Sequence, residues 1–144
     1  MHFQPSDRLL ALTVWQPWAH LIATAQKSVE LRKWGTSYRG TIVIHAARQV
    51  DDGAAVYFGL DTVSWPVGAA LGVVDLVDVL MIRRDELREN RWLHRSWGPF
   101  RHGMRGLVLS SPRLLRRPIR MVGARGLFRV PPAITSEIHL QLKN

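Results

Sequence analysis

The hydrophobic period changes once, abruptly, within residues 13–34, and that change constrains the fold more than any other stretch. From Pro17 to Gln26 the apolar residues Trp18, Leu21, Ile22 and Ala25 recur at helical spacing. From Ser28 to Trp34 the period falls to two: Val29 and Leu31 take one side, Ser28, Glu30, Arg32 and Trp34 the other. Pro17 suits a first helical turn, where its missing N–H is not needed. A helix must therefore hand over to a strand in a tight turn at Lys27. Glu30 and Arg32 then share a strand face, about 7 Å apart between α-carbons at roughly 3.3 Å rise per residue.

The rest of the chain reads as many short strands with a few helices. Residues 1–8 read as a loose arm and Leu9–Val14 as a first strand. Thr41–Ala46 is a β-branched run suited to a strand buried on both sides. Asp51-Asp52 starts a helix that Gly59 stops, and residues 61–66 form a loop. Val67–Leu80 is a long strand signal, and residues 83–95 read as a short helix then loop. Residues 96–103 are a turn-rich loop, and Met104–Leu109 is a strand ending at Ser110-Ser-Pro112. Arg113–Pro118 reads as a basic connector, Ile119–Val122 and Leu127–Val130 as strands, and Ile134–Leu142 as a terminal helix. Pro131-Pro132 blocks further strand pairing. With 144 residues and neither repeats nor a linker, one domain is expected. The class is α+β, mainly β: a small barrel flanked by two to four helices.

Three segments in order carry a resemblance: Trp15-Gln-Pro-Trp-Ala19, then Lys27-x-x-Glu30-x-Arg32, then Tyr38-Arg-Gly-Thr-Ile-Val-Ile-His-Ala46. Together they resemble an ASCH domain, a PUA-like β-barrel family, over about residues 9–130. Strand Gly72-Val-Val-Asp-Leu-Val77 and the closing Gly123-Ala-Arg-Gly-Leu-Phe128 extend the likeness. Family members usually read Gly-x-Lys-x-x-Glu-x-Arg, and here Ala25 replaces the glycine.

Charge points to a partner. The chain holds 20 Lys plus Arg against 11 Asp plus Glu, and 17 of the cations are arginine. Residues 83–129 contain 13 arginines and three acids, so the excess is concentrated there. A genome that favours arginine explains the type of cation but not its clustering; a polyanion partner explains both. Arg113, Arg116 and Arg117 are the natural phosphate contacts, and Arg101 and Arg105 are placed near a pocket mouth. Six such contacts would give a salt slope of about −4 to −5 on single strands.

The lysine motif is the candidate pocket. The ordinary reading of Lys27, Glu30 and Arg32 is a solvated ion-pair cluster worth under about 1 kcal/mol. The functional reading sets Lys27 against a carbonyl or phosphate, with Glu30 orienting it or moving a proton. Arg32 and burial would both disfavour the charged amine. Trp15 and Trp34 flank the motif, and stacking an unpaired base on an aromatic face contributes roughly 1–3 kcal/mol. Trp15, Trp65 and Trp97 are the favoured stacking surfaces, with Trp18 assigned to core packing. Tyr38 lies close in sequence, and His45 reads as a satisfied core histidine or a lining residue.

The expected partner is RNA or DNA, single-stranded or with an extruded base, and one nucleotide occupies the pocket. The resemblance implies two enzymatic alternatives. One is an amidohydrolase on N4-acylated cytidine with Lys27 as the catalytic amine. Such enzymes carry threonine where Glu30 stands; Asp75 or Asp78 would supply the strand acid. The other is a metal-independent ribonuclease in which Lys27 stabilises phosphoryl charge and Tyr38, Ser110 or Glu30 relays protons. A coactivator-type protein-interaction module is a further alternative. No cofactor or metal is expected: there is no cysteine, and His94 and His102 have no acid at ligand spacing. No apolar run spans a membrane and no secretion signal opens the chain, so a cytoplasmic monomer is expected.

Overall fold

The computed structural model describes residues 8–57, 59, 65–83 and 104–143. In chain order the elements are β1 (Leu10–Gln16), α1 (Trp18–Ala23), β2 (Val29–Arg32), β3 (Gly40–Val50), α2 (Asp52–Tyr57), β4 (Ala69–Met81), β5 (Arg105–Arg120), β6 (Leu127–Arg129) and α3 (Pro132–Leu142). The six strands form one sheet in the order β2-β5-β4-β3-β1-β6. All neighbours are antiparallel except β1 and β3, which run parallel with α1 and β2 between them in sequence.

Alternation along the central strands sorts the core into two layers. Leu12, Val14, Ile42, Ile44, Val74, Leu76, Leu107 and Leu109 face α1, whose Ala19, Ile22 and Ala23 complete that layer. Ala11, Val43, Val73, Leu115 and Ile119 face the other way and are covered by Ile138 of α3. In a flat sheet β2 and β1 would lie four strand spacings apart, roughly 19 Å. Yet the Arg32 guanidinium of β2 donates to the Thr13 carbonyl of β1 at 2.8 Å. The sheet therefore curls around α1 so that one side chain spans the gap, although its backbone ladder is not closed.

Three elements depart from the expectation. The helix expected to reach Gln26 stops at Ala23 because Ala25 turns left-handed, with φ 66°. The Gln26 amide then donates to the Leu21 carbonyl and the Ala25 amide to Ile22, the double bond of a Schellman ending. The basic connector at 113–118 is instead part of β5, a single strand of 16 residues. Pro112 and Pro118 looked like breakers, but both fall where the β4–β5 register slips, and bulges tolerate a residue that cannot donate. The terminal helix begins at Pro132, whose missing N–H suits its first turn. Asp51 caps α2 by accepting from the Ala54 amide at 3.0 Å. The helix-then-loop expected over 83–95 and the loop over 96–103 fall almost wholly outside the described residues, with Trp97 and Arg101 among them.

Candidate nucleic-acid-binding site

The Schellman ending that stops α1 also sets the position of Lys27, because its amide donates to the same Leu21 carbonyl at 3.0 Å. The chain then enters β2, which lays Val29 and Leu31 into a small apolar cluster with Ile82. Alternation turns Glu30 and Arg32 to the α1 face, opposite Leu107 and Arg105 of β5.

The result is a carboxylate held between two cations. One Glu30 oxygen lies 3.4 Å from the Lys27 amine. The other accepts from Arg32 Nε and Nη2 at 3.0 and 2.9 Å. Lys27 also donates to the Val29 carbonyl, 2.6 Å away, and its amine lies 5.1 Å from the centre of the Trp18 ring. Only 2% of Lys27 is exposed. Burial pushes its pKa below the ordinary lysine value; the Glu30 carboxylate opposes this and Arg32 adds to it. A charged group so far from water persists only when paired and hydrogen-bonded, and that is what Glu30 and the Val29 carbonyl provide.

The floor of this site is tied down by buried polar bonds. Gln16, fully buried, accepts from the His20 amide and donates to the Pro66 carbonyl, joining α1 to the segment before β4. Trp18 Nε1 donates to Asp51 at 3.1 Å, which fixes the ring that faces Lys27. Trp65 stacks on His20 with ring centres 5.1 Å apart.

The other residues named from the sequence divide by position. Trp34 and Tyr38 pack against the α1-side core, and the Tyr38 hydroxyl donates to the Thr41 carbonyl. Arg105 lies directly across from Arg32. Trp15 is 50% exposed at the irregularity between Val14 and Gln16. His45 and Asp75 are on the α3 side of the sheet. His45 bonds Thr13 Oγ1 through Nδ1 and the Met121 carbonyl through Nε2, and Asp75 accepts from Thr41. A carbonyl can only accept, so Nε2 carries the ring proton and Nδ1 accepts from Thr13. Arg113, Arg116 and Arg117 also lie on the α3 side. Arg113 donates to the Leu142 carbonyl, and Arg116 and Arg117 line a cavity of about 250 Å³ with Glu137, Leu140 and Gln141. The strand acid and the arginine cluster are thus separated by the sheet from Lys27.

Sequence reasoning missed Gln16 and the contact of Trp18 with Lys27. Trp18 falls on the apolar stripe of α1 and packs against the core as expected, and its ring also lies beside Lys27. The nearby signal was Trp15-Gln-Pro-Trp18 itself: a polar residue and a proline directly before a helix. Among the described residues, no three His, Asp or Glu side chains gather as a metal site. No helix among them is long and apolar enough to cross a membrane.

With the geometry in place, three comparisons converge. The sequence profile of the ASCH domain matches residues 12–105. The human protein activating signal cointegrator 1 is 38% identical over 81 residues, which are 48% of this chain and 14% of that protein. The chain thus spans a small part of that relative's length. The crystal structure of ASCH from Zymomonas mobilis superposes with a TM-score of 0.62 at 14% identity, covering 92% of this chain and 94% of that one. A serine-to-alanine mutant of the same protein gives 0.63 at 16% identity, covering 95% and 99%. At these identities the structural likeness speaks for the fold alone.

Proposed function

The chain belongs to the ASCH domain family, and from that premise we propose that it binds RNA or another single-stranded nucleic acid, holding one nucleotide at the Lys27–Glu30–Arg32 site. The observation that carries this reading is the buried carboxylate shared by two cations beneath the Trp18 ring. A nucleotide offers what such a place can use: hydrogen-bonding edges for fixed polar groups, a flat face for tryptophan and a negative backbone for surplus arginine. The formal net charge of +9 supplies the long-range attraction.

The test is binding of the full chain to short single-stranded and duplex oligonucleotides across a salt series. Salt-dependent binding of single strands that Lys27→Met and Glu30→Gln weaken supports the reading. Binding that ignores both substitutions places the nucleic acid elsewhere.

A hydrolytic reading has one observation in its favour: burial lowers the Lys27 pKa, and an amine that can shed its proton can act in catalysis. Against the amidohydrolase form stand Glu30 where a hydroxyl nucleophile would be needed and Asp75 on the opposite face of the sheet. RNA cleavage in EDTA, or loss of the acyl group from N4-acetylcytidine, abolished by Lys27→Ala, would establish turnover. The likeness to activating signal cointegrator 1 keeps a protein-interaction role as the outcome if no polyanion binds.

A further inference from the structure

Among the described residues, Arg105 is the member of this site whose charge nothing answers. It is the direct cross-strand neighbour of Arg32, so the two cations leave β5 and β2 on the same face. Arg32 is paired with Glu30, which it shares with Lys27, and anchored on the Thr13 carbonyl. Arg105 is partly buried and makes no ion pair or hydrogen bond among the described residues. Like charges directly opposite each other on antiparallel strands destabilise the pair. Lys27 and Arg32 share the one carboxylate of Glu30, and Arg105 stands across from Arg32 as a third cation.

A second observation shows that the arrangement is built. Gly35, just past β2, lies directly under the Arg105 side chain. A β-carbon there would sit 2.8 Å from Arg105 Cδ and 3.2 Å from Nε. The absent side chain is what lets the arginine lie across the end of β2, beside Arg32, instead of swinging into water. A planar guanidinium held in place with its donors unspent suits a phosphate better than any neutral group.

We propose that Arg105, laid over Gly35 and across from Arg32, is the phosphate subsite of the Lys27 site, so that the site holds a phosphate-bearing nucleotide more tightly than a free nucleoside or base. This rests on the nucleic-acid reading above and specifies how the ligand lies. The phosphate sits at the Arg105 end of β2, and the base points back along the strand toward Glu30, Lys27 and Trp18.

The experiment titrates a six-nucleotide single-stranded RNA into the full chain at several salt concentrations, with cytidine and cytidine monophosphate as small probes. Arg105→Gln is expected to weaken RNA and monophosphate binding about 10-fold, as loss of one charge-assisted contact should. It should leave cytidine binding unchanged and make the salt slope about 0.7 shallower. Arg105→Lys should restore the slope but not the full affinity. Gly35→Ala keeps the charge and displaces the side chain, so it should mimic Arg105→Gln while melting as a folded protein. Arg117→Gln, on the far face, should not distinguish monophosphate from cytidine. If the wild type binds RNA and Arg105→Gln binds it equally well with the same slope, the subsite is refuted and the nucleic-acid reading stands. If the wild type binds no RNA at any salt, both fall together.

Discussion

Lys27, Glu30 and Arg32 on one face of the sheet, and Arg113, Arg116 and Arg117 on the other, are both cation clusters carried by strands or strand-flanking turns. The first is built around a carboxylate and withdrawn from water, with Lys27 2% exposed. The second is exposed, and Arg113 donates through one of its nitrogens to a backbone carbonyl at the end of α3. The comparison teaches that charge density along a sequence says little about electrostatic strength. A buried cation depends on a named partner, whereas an exposed one is screened and interchangeable. In the function proposed above, the first arrangement would recognise one nucleotide and the second would make nonspecific contact with a polyanion.

The sharpest way to break that contrast is to remove the carboxylate. Glu30→Gln leaves two cations facing each other with little water to screen them, and loss of one partner from a buried pair costs about 3–5 kcal/mol. Arg117→Gln on the exposed face should stay within about 0.5 kcal/mol of the wild type. Urea unfolding of the two variants measures both; similar losses would mean that the Lys27 cluster is effectively solvated.

The next effect depends on pH. Burial depresses the Lys27 pKa below 10.5, so between that lowered value and 10.5 the unfolded chain holds a proton that the folded chain has released. Stability therefore rises with pH across this window, by up to about 1.4 kcal/mol per unit. The rise is complete above 10.5 and absent below the folded value. Wild type should gain on Lys27→Met as pH climbs toward 10.5, read from urea midpoints. A constant difference would show an ordinary lysine.

His45 is the counterpart on the α3 face, where burial lowers its pKa below 6.5 despite the opposing Met121 carbonyl. Its contribution is full above pH 6.5 and is lost as pH falls through that value to the folded pKa, because only the unfolded chain takes up the proton there. The site admits no larger neighbour: a β-carbon on Gly123 would lie 2.7 Å from Thr13 Oγ1 and 2.8 Å from the His45 ring. An imidazole titration followed by NMR should show a midpoint below 6.5; a midpoint at or above it would mean that the ring is not held neutral by this pocket. Thr13 joins the two faces, with its carbonyl on Arg32 and its hydroxyl on His45.

Local pattern predicted much of this and could not predict the rest. The switch of period at Lys27 placed Glu30 and Arg32 on one face, since strand alternation is a property of neighbouring residues. The continuity of β5 was hidden because bulges absorb prolines, and bulges are decided by the partner strand. The separation of Arg113, Arg116 and Arg117 from Lys27 was hidden for a related reason. A bulge changes which face a residue takes, and no count along the chain records that. Trp18 packs against the core as its stripe position predicts, but that the same ring also lies over Lys27 could not be read from a helix of fewer than two turns.

The smallest predicted effect tests the turn on which the site is hinged. Ala25 occupies the family's glycine position with φ 66°, a left-handed conformation that costs an L-residue with a β-carbon roughly 1–2 kcal/mol. Ala25→Gly removes that strain but gives the unfolded chain more freedom, which returns about 0.4–1 kcal/mol. The variant should therefore be more stable by about 0.5–1 kcal/mol, measured as a shift in urea midpoint at constant slope. Its RNA affinity should not change, because the amides of Gln26 and Lys27 keep their bonds to Leu21 in either case. A destabilised Ala25→Gly would mean that the turn does not hold this conformation, and Lys27 would then lose the anchor that separates it from the exposed cations on the other face.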